Sequence, residues 1–365
     1  PPPVDARTLP DIVKYEVRQQ IPFPIEDVIW DWQSMGGTEM DNVIVDAEVG
    51  LFAIKRDTVY TALQPFLKKD IEVDVVQLSP LATQNVVCHE LMDDLPEGEE
   101  IDMDTLPDSL VILSMGTDAT DLIVTNGVKL WLRNIPIGGN HFTKELSREL
   151  KLTHAKAEHL KRNARQAEDP KTVFQAMRRV FNDLKKEIDR SLSYYSGMDK
   201  NANLDRIVLL GNAARLPGLR QYLNKQLEMD IAKISDFSRL QGSVTEERAF
   251  KENILSFAPV YGLCLQGLSK ARVDTNLLPV EFVNERIVRA KKPWMLASVS
   301  LLMLGMLFSY FFVNQRWWGV QENYTRDGVS WKKAEDAVQA RTMASANFKS
   351  QDEEQATKLS RINDI

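Results

Sequence analysis

Apolar residues are spaced along this chain in three ways. From Phe174 to Tyr195 they recur every third or fourth position (Phe174, Met177, Phe181, Leu184, Ile188, Leu192, Tyr195). That period marks one face of a long helix packed on a core. Short, largely apolar stretches at residues 110–113, 122–125 and 204–210 lie between polar or glycine-bearing segments and predict buried strands. Residues 294–313, WMLASVSLLMLGMLFSYFFV, hold twenty positions without a charge. A helix needs about that many to cross a hydrocarbon core. A helix of that length inside a soluble core normally keeps a polar stripe, so a membrane span is the stronger reading.

Before the strands, Ile12, Val13, Tyr15, Val17 and Ile21 make an amphipathic segment that stops at Pro22 and Pro24. Residues 28–32 read as a strand, Met35-Gly36-Gly37 as a turn, and 42–47 and 51–54 as strand-length runs. A helix is expected over 56–67, a β-like stretch over 71–77, and a helix over 79–91 with Ser79 as its N-cap. Residues 92–108 form an acidic loop, read as a solvated connection rather than a metal site. Asn126-Gly127 signals a hairpin. Helices are expected over 142–150, 219–227 and 254–268, with Gly262 and Gly267 allowing close contact.

The flanks of the apolar run orient it. Arg286, Arg289, Lys291 and Lys292 precede it, and Arg316 alone is close behind it. Positive residues stay on the cytoplasmic side, which places residues 1–292 there and 314–365 across the membrane. Trp294, Tyr310, Trp317 and Trp318 suit interfacial anchors. The net charge of −7 argues against a nucleic-acid binder. Cys88 and Cys264 fit neither a disulfide framework nor a metal spacing and are expected as small core residues. The opening PPPVDARTLP lacks the charged head and apolar run of a signal peptide and reads as a start in mid-sequence.

Four segments carry candidate chemistry. In Ser114-Met115-Gly116-Thr117-Asp118-Ala119-Thr120-Asp121, Gly116 lets the backbone approach an anion, and the Thr117 and Thr120 hydroxyls can donate to phosphate oxygens. Gly138-Gly139 precedes a helix N-terminus, an anion-friendly place. His141 beside it reads as a loop histidine. Glu158 and Lys161 lie three apart on one helix face, as either a site or a surface ion pair. The strand ending at Gly211-Asn212 opens into a loop and a helix, the layout of a ligand crevice.

Taken together, SMGTDATDLIV, IPIGGNHFTKEL followed by AEHLK, and IVLLGNAARLPGL resemble the actin/Hsp70-like (ribonuclease H-like) ATPase fold. Within that α/β class they are most similar to the PilM family of type IV pilus assembly proteins and its relative FtsA. The resemblance covers about residues 4–270, and DIVKYEVRQQIPFPIEDVIWDW resembles the α+β subdomain of PilM and FtsA. It implies ATP and Mg²⁺ as ligands. Ser114, Gly116, Thr117, Asp118 and Thr120 would form the second phosphate loop, and Gly138 and Gly139 the step into the connecting helix. Glu158 and Lys161 would meet ribose and adenine, and Gly211 and Asn212 would form the adenosine loop. Asn276, Leu277, Leu278 and Pro279 are similar to the N-terminal segment of PilN, the membrane partner of PilM. Docking of that segment in a groove, in cis or on a neighbour, stands against an ordinary linker.

The sequence departs from the family pattern. Ser114 stands where the phosphate loop usually has Asp, and Asn212 where the adenosine loop has a second glycine. The first phosphate loop would precede residue 1; either the chain is a fragment or that part of the site has been lost, and the start at PPPVDARTLP favours a fragment. The implied organisation is a partial first lobe with the PilM/FtsA-type subdomain (1–91), an acidic linker (92–108) and a second actin-like lobe (109–270). A PilN-like motif with a basic linker (271–292), a transmembrane helix (293–313) and an extracytoplasmic, helical segment (314–365) follow. The implied function is a membrane-tethered ATP-binding scaffold of a pilus or related secretion platform in the bacterial inner membrane, with little or no hydrolysis. PilN/PilO-like proteins and the membrane are its implied partners, and homo-oligomerisation is left open. An active ATP hydrolase, with Asp118 or Asp121 compensating for Ser114, and a nucleotide-free adaptor are the competing readings.

Overall fold

The computed structural model describes residues 4–5, 7–40, 43–92, 107–200 and 202–363. Nearly all of the acidic loop falls outside them. Residues 1–280 form one unit and 281–365 another.

In chain order the first unit contains β1 (Val4–Asp5), α1 (Leu9–Gln20), β2 (Val28–Met40), β3 (Val43–Lys55), α2 (Arg56–Leu67) and α3 (Ser79–Leu91). Then come β4 (Ser109–Met115), β5 (Thr120–Thr125), β6 (Leu130–Ile135), α4 (Gly139–Glu149), α5 (His154–Arg162) and α6 (Pro170–Met198). It ends with β7 (Leu204–Leu210), α7 (Leu219–Leu227), β8 (Asp230–Lys233) and α8 (Arg248–Gly267).

β1, β3 and β2 make a small antiparallel sheet in that order, and α1 lays Leu9, Val13 and Val17 toward it. The larger sheet has the order β6-β5-β4-β7-β8. β4, β5 and β6 run antiparallel, while β7 and β8 run parallel to β4. Its central strands are apolar on both faces because helices cover both. One core gathers Val111, Leu113, Met115 and Leu122 with Phe142 and Leu146 of α4 and Met177, Phe181, Leu184 and Ile188 of α6. The other gathers Ile112, Ile123, Val208 and Leu210 with Val86 and Val87 of α3 and Ile254, Leu255 and Ala258 of α8.

Several local expectations change. Gly36 and Gly37 make no turn; β2 runs through them to Met40, with register shifts at Ser34/Gly36 and Gly36/Thr38. A glycine pair in a strand marked a bulge instead. Residues 71–77 join no sheet. Ser79 is the first residue of α3 rather than its cap, which is Leu78. Cys88 is buried, but Cys264 is exposed on α8. At the β5–β6 turn, Asn126 Oδ1 accepts from the N–H groups of Val128 and Lys129, and Gly127 takes φ of +89°.

The second unit is helical. α9 runs from Val280 to Asn363 with Pro293 inside it. One stretch, Val280–Trp318, is long and apolar enough to cross a membrane, and its large apolar side chains from Trp294 to Val313 are exposed.

α3 and α8 cross at Gly262, where an added Cβ would sit 1.8 Å from the Ala82 carbonyl oxygen. Gly262→Ala must therefore part the two helices, at a cost of about 1–3 kcal/mol or more. Gly267→Ala is the control, because nothing lies within 4 Å of its Cβ position. The midpoint of thermal unfolding should fall for the first variant and hold for the second. Equal midpoints would mean that the helices do not meet there.

Candidate functional site

β4 and β7 are parallel neighbours, and both chains turn off at the same end of the sheet. Gly211 follows β7 with φ of +82°, and a Cβ there would lie 2.3 Å from the Met115 carbonyl oxygen. Only glycine meets both conditions. Its N–H donates to Leu255 O of α8 at 2.7 Å. After β4, Gly116 N–H donates to Ala119 O at 2.9 Å and closes a tight turn.

The N-terminus of α4 holds that turn. Gly139 N–H donates to Gly116 O at 3.0 Å and Asn140 N–H to Thr117 O at 2.7 Å. Gly138 lies so close that a Cβ would come within 2.6 Å of Thr117 O. Its N–H donates to His141 Nδ1 at 3.1 Å; His141, expected in a loop, lies in the first turn of α4. The glycine pair therefore clamps one loop on another. The first two N–H groups of α4 are engaged by protein carbonyls and not offered to an anion, contrary to the expectation for this helix.

α5 supplies Glu158 and Lys161. Lys161 Nζ donates to Glu158 Oε2 at 2.6 Å, to Thr143 Oγ1 at 2.8 Å and to Gly139 O at 3.1 Å. These three bonds use all its donors. The Thr143 hydroxyl donates to Glu158 Oε2 at 2.6 Å, and Arg162 Nε donates to Oε1 at 2.9 Å. Burial alone would push the Glu158 carboxyl up. The bonds from Lys161, Thr143 and Arg162, with the Lys161 charge, outweigh it and hold the group at about 2, against the ordinary 4.5. The pair is a brace between α4 and α5, not a surface ion pair.

These pieces line one cleft of about 670 Å³. Ser114, Gly116, Thr117, Gly139, Glu158, Lys161, Gly211 and Asn212 all face it. Gly139 is the meeting point: its Cβ position is 3.3 Å from Ala213 Cβ, 3.6 Å from Lys161 Nζ and 3.8 Å from Gly116 O. Thr120 is not part of the cleft. It is fully buried and its hydroxyl donates to Ile137 O at 2.6 Å, because it alternates to the sheet face opposite Ser114. Asp118 and Gly138 also lie outside the lining, and Asp118 Oδ1 accepts from Asn140 Nδ2 at 2.8 Å. The lining adds Arg162, Arg215, Asn253 and Ser256, which motif spacing did not single out, and Asp121, which the hydrolase reading named beside Asp118. Thr143 was missed as well; a threonine one turn into a helix carries no signal of a partner on another helix.

A second constellation involves residues 272–279. Val273 N–H donates to Asn85 Oδ1 while Asn85 Nδ2 donates to Val273 O, both at 2.8 Å. Gln266 Nε2 of α8 reaches Asp274 O and Thr275 O, and Gln77 Nε2 reaches Thr275 O. Asn276 N–H donates to Asp31 Oδ2 at 2.7 Å, and its side chain bonds Asp74 O and Val76 N. Leu277 N–H donates to Val76 O at 2.8 Å. Leu277, Leu278 and Pro279 are buried. The segment is thus a strap bound along α3, α8, β2 and the 71–78 stretch.

A family model described as type IV pilus assembly protein PilM matches residues 5–268. The chain belongs to the PilM family. It is similar to a solved "PilM-PilN type IV pilus biogenesis complex" at 22% identity and a TM-score of 0.59, over 73% of this chain and 74% of that one. More distant likenesses include MreB 5 of Spiroplasma citri bound to AMPPNP (12% identity, TM-score 0.39, over 57% and 64% of the two chains). Ethanolamine utilization protein EutJ from Carboxydothermus hydrogenoformans is another (13%, 0.32, 62% and 92%). The fold of this PilM-family chain is actin-like, mixed α/β.

A carboxyl held low stabilises the fold above its ordinary value and loses that contribution as pH falls toward the lowered one. The stability lost in Glu158→Gln should be constant well above pH 4.5, shrink below it and nearly vanish at about pH 2. Paired denaturation curves across that range check this. A difference that persists unchanged to pH 2 would mean that Glu158 is not held as an anion by its neighbours.

Proposed function

We propose that this PilM-family chain is a membrane-tethered, actin-like scaffold of a type IV pilus or related inner-membrane platform, with ATP as a structural ligand in the cleft. The observation that carries this is the convergence at Gly139, where the phosphate-type turn, the Glu158–Lys161 pair and the 211–215 loop all come within van der Waals reach of one Cβ position. The residues fit a nucleotide. Ser114, Thr117 and Asn212 offer polar groups, Lys161, Arg162 and Arg215 offer positive charge, and Ala213, Leu216 and Pro259 offer apolar wall. Gly116, Thr117 and Ser114 would hold the phosphates with Mg²⁺, and Lys161 and the 211–215 loop the nucleoside.

The strap is read as the PilN-like segment docked in cis. A PilN-related chain is the partner named for the similar complex; here the equivalent recognition would be intramolecular, through Asn276, Leu277, Leu278 and Pro279. The basic residues Arg286, Arg289, Lys291 and Lys292 would keep the first unit cytoplasmic, α9 would cross the bilayer, and its distal part would face PilN/PilO-like proteins.

Two outcomes test the reading. Lys161→Ala, checked for folding, removes a positive charge from the cleft wall together with the brace that seats Gly139, and should weaken ATP binding about tenfold or more. Unchanged affinity by calorimetry would remove Lys161 from the site. Replacing Leu277 and Leu278 together with Asp buries two charges and should release the strap. Limited proteolysis would then cut faster within residues 270–280; an unchanged cleavage rate would contradict docking.

A further inference from the structure

The stretch of α9 that is apolar enough to cross a membrane, Val280–Trp318, is 39 residues long. A hydrocarbon core takes about 20. The charge-free run over 294–313 accounts for the crossing, so residues 281–293 need another place. They are amphipathic. Val283, Ile287, Ala290 and Trp294 recur at the spacing of one helix face, and all four are exposed. Arg286 borders that face on one side and Lys291 on the other. Glu285 lies on the opposite face, where its Oε1 accepts from Arg289 Nη2 at 3.0 Å.

The same spacing would suit a coiled-coil seam, which makes a second copy of the chain one candidate occupant. The bordering charges disfavour it. Copies anchored in one membrane pair in parallel. With this face as the seam, Arg286 of each copy would stand across from Lys291 of the other, a like-charge contact on both sides. An anionic surface reverses the sign of that argument. Residues 286–292 hold four basic side chains and no acidic one, directly before the apolar run. A cluster of that size in that place is attracted to acidic lipid.

We propose that residues 281–293 lie in the headgroup layer of the membrane, with Val283, Ile287 and Ala290 turned to the acyl chains and Arg286, Lys291 and Lys292 on anionic phospholipid headgroups. The inference rests on the membrane reading of α9. Long basic side chains beside an apolar stripe cover it with their stems and reach the phosphates with their heads. Pro293 stands where the direction must change. It has no N–H to give the Arg289 carbonyl, so the helical ladder is interrupted between the in-plane part and the crossing part.

The test reads a polarity-sensitive fluorophore on Ile287→Cys, or on Val283→Cys should that variant fail to fold. The background is Cys264→Ser, which removes the exposed native thiol. The full chain is reconstituted into vesicles of phosphatidylcholine alone and of equal parts phosphatidylcholine and phosphatidylglycerol. Emission should shift to the blue in the anionic vesicles and return toward its value in water at high salt. The same label on Glu285→Cys should report water in both. Arg286→Gln with Lys291→Gln should lower the ratio of seated to free segment about tenfold or more, the scale of two basic residues at an anionic surface. Arg286→Lys with Lys291→Arg should keep it. Equal emission in the two lipids, or an undiminished shift in the glutamine variant, would overturn the inference. So would a shift that fades as the chain is diluted with lipid, which would assign the face to a second copy. A chain that alkaline carbonate extracts from both kinds of vesicle would overturn the membrane reading, and this inference with it; a chain retained in both with residue 287 in water would overturn this inference alone.

Discussion

The cleft depends on how closely the backbone can pass itself where β4 and β7 end. A Cβ at position 211 would stand 2.3 Å from Met115 O, so the two strand ends can lie side by side only with glycine there. That contact sets the heights of two loops at once. One carries Ser114, Gly116 and Thr117; the other carries Asn212, Ala213 and Arg215. Gly138 repeats the device, seating α4 on the 116–119 turn. The donors this uses are backbone N–H groups, so the loops are fixed by bonds that no side-chain substitution removes directly.

α8 links this cleft to the rest of the first unit. Its Leu255 carbonyl accepts from Gly211 N–H, its Gly262 packs on α3, and its Gln266 holds the strap through Asp274 and Thr275. One helix thus touches the candidate ligand site near its start and the strap near its end. The strap is held mostly by side-chain amides (Gln33, Gln77, Asn85, Gln266 and Asn276) reaching backbone groups. Such bonds satisfy an extended segment that joins no sheet, and the buried Leu277 and Leu278 add apolar contact beneath them.

The parts of the fold set by periodicity were legible in the sequence. The α6 face from Phe174 to Tyr195, the buried strands of the central sheet and the apolar run in α9 each follow from spacing or length alone. Gly211 was legible too, as a glycine ending an apolar run before a loop. What escaped depended on pairing across distance. Thr120 looked like a phosphate ligand because it sits in the right string, but one step of strand alternation turns it to the other face of the sheet. The Gly138-Gly139 pair suggested an open helix terminus, yet its N–H groups meet carbonyls that are remote in sequence. Residues 71–77 alternate like a strand but find the strap as their neighbour instead of a sheet edge. Thr143 carries no local mark; only the α4–α5 contact reveals it.

The most direct measurement is an experimental structure of the full chain with a non-hydrolysable ATP analogue and Mg²⁺. The account predicts phosphates against residues 114–117 and the nucleoside between Lys161 and residues 211–215, with the strap still seated along α3 and α8. A well-ordered cleft that stays empty at saturating analogue, or a nucleotide bound elsewhere on the chain, would contradict it.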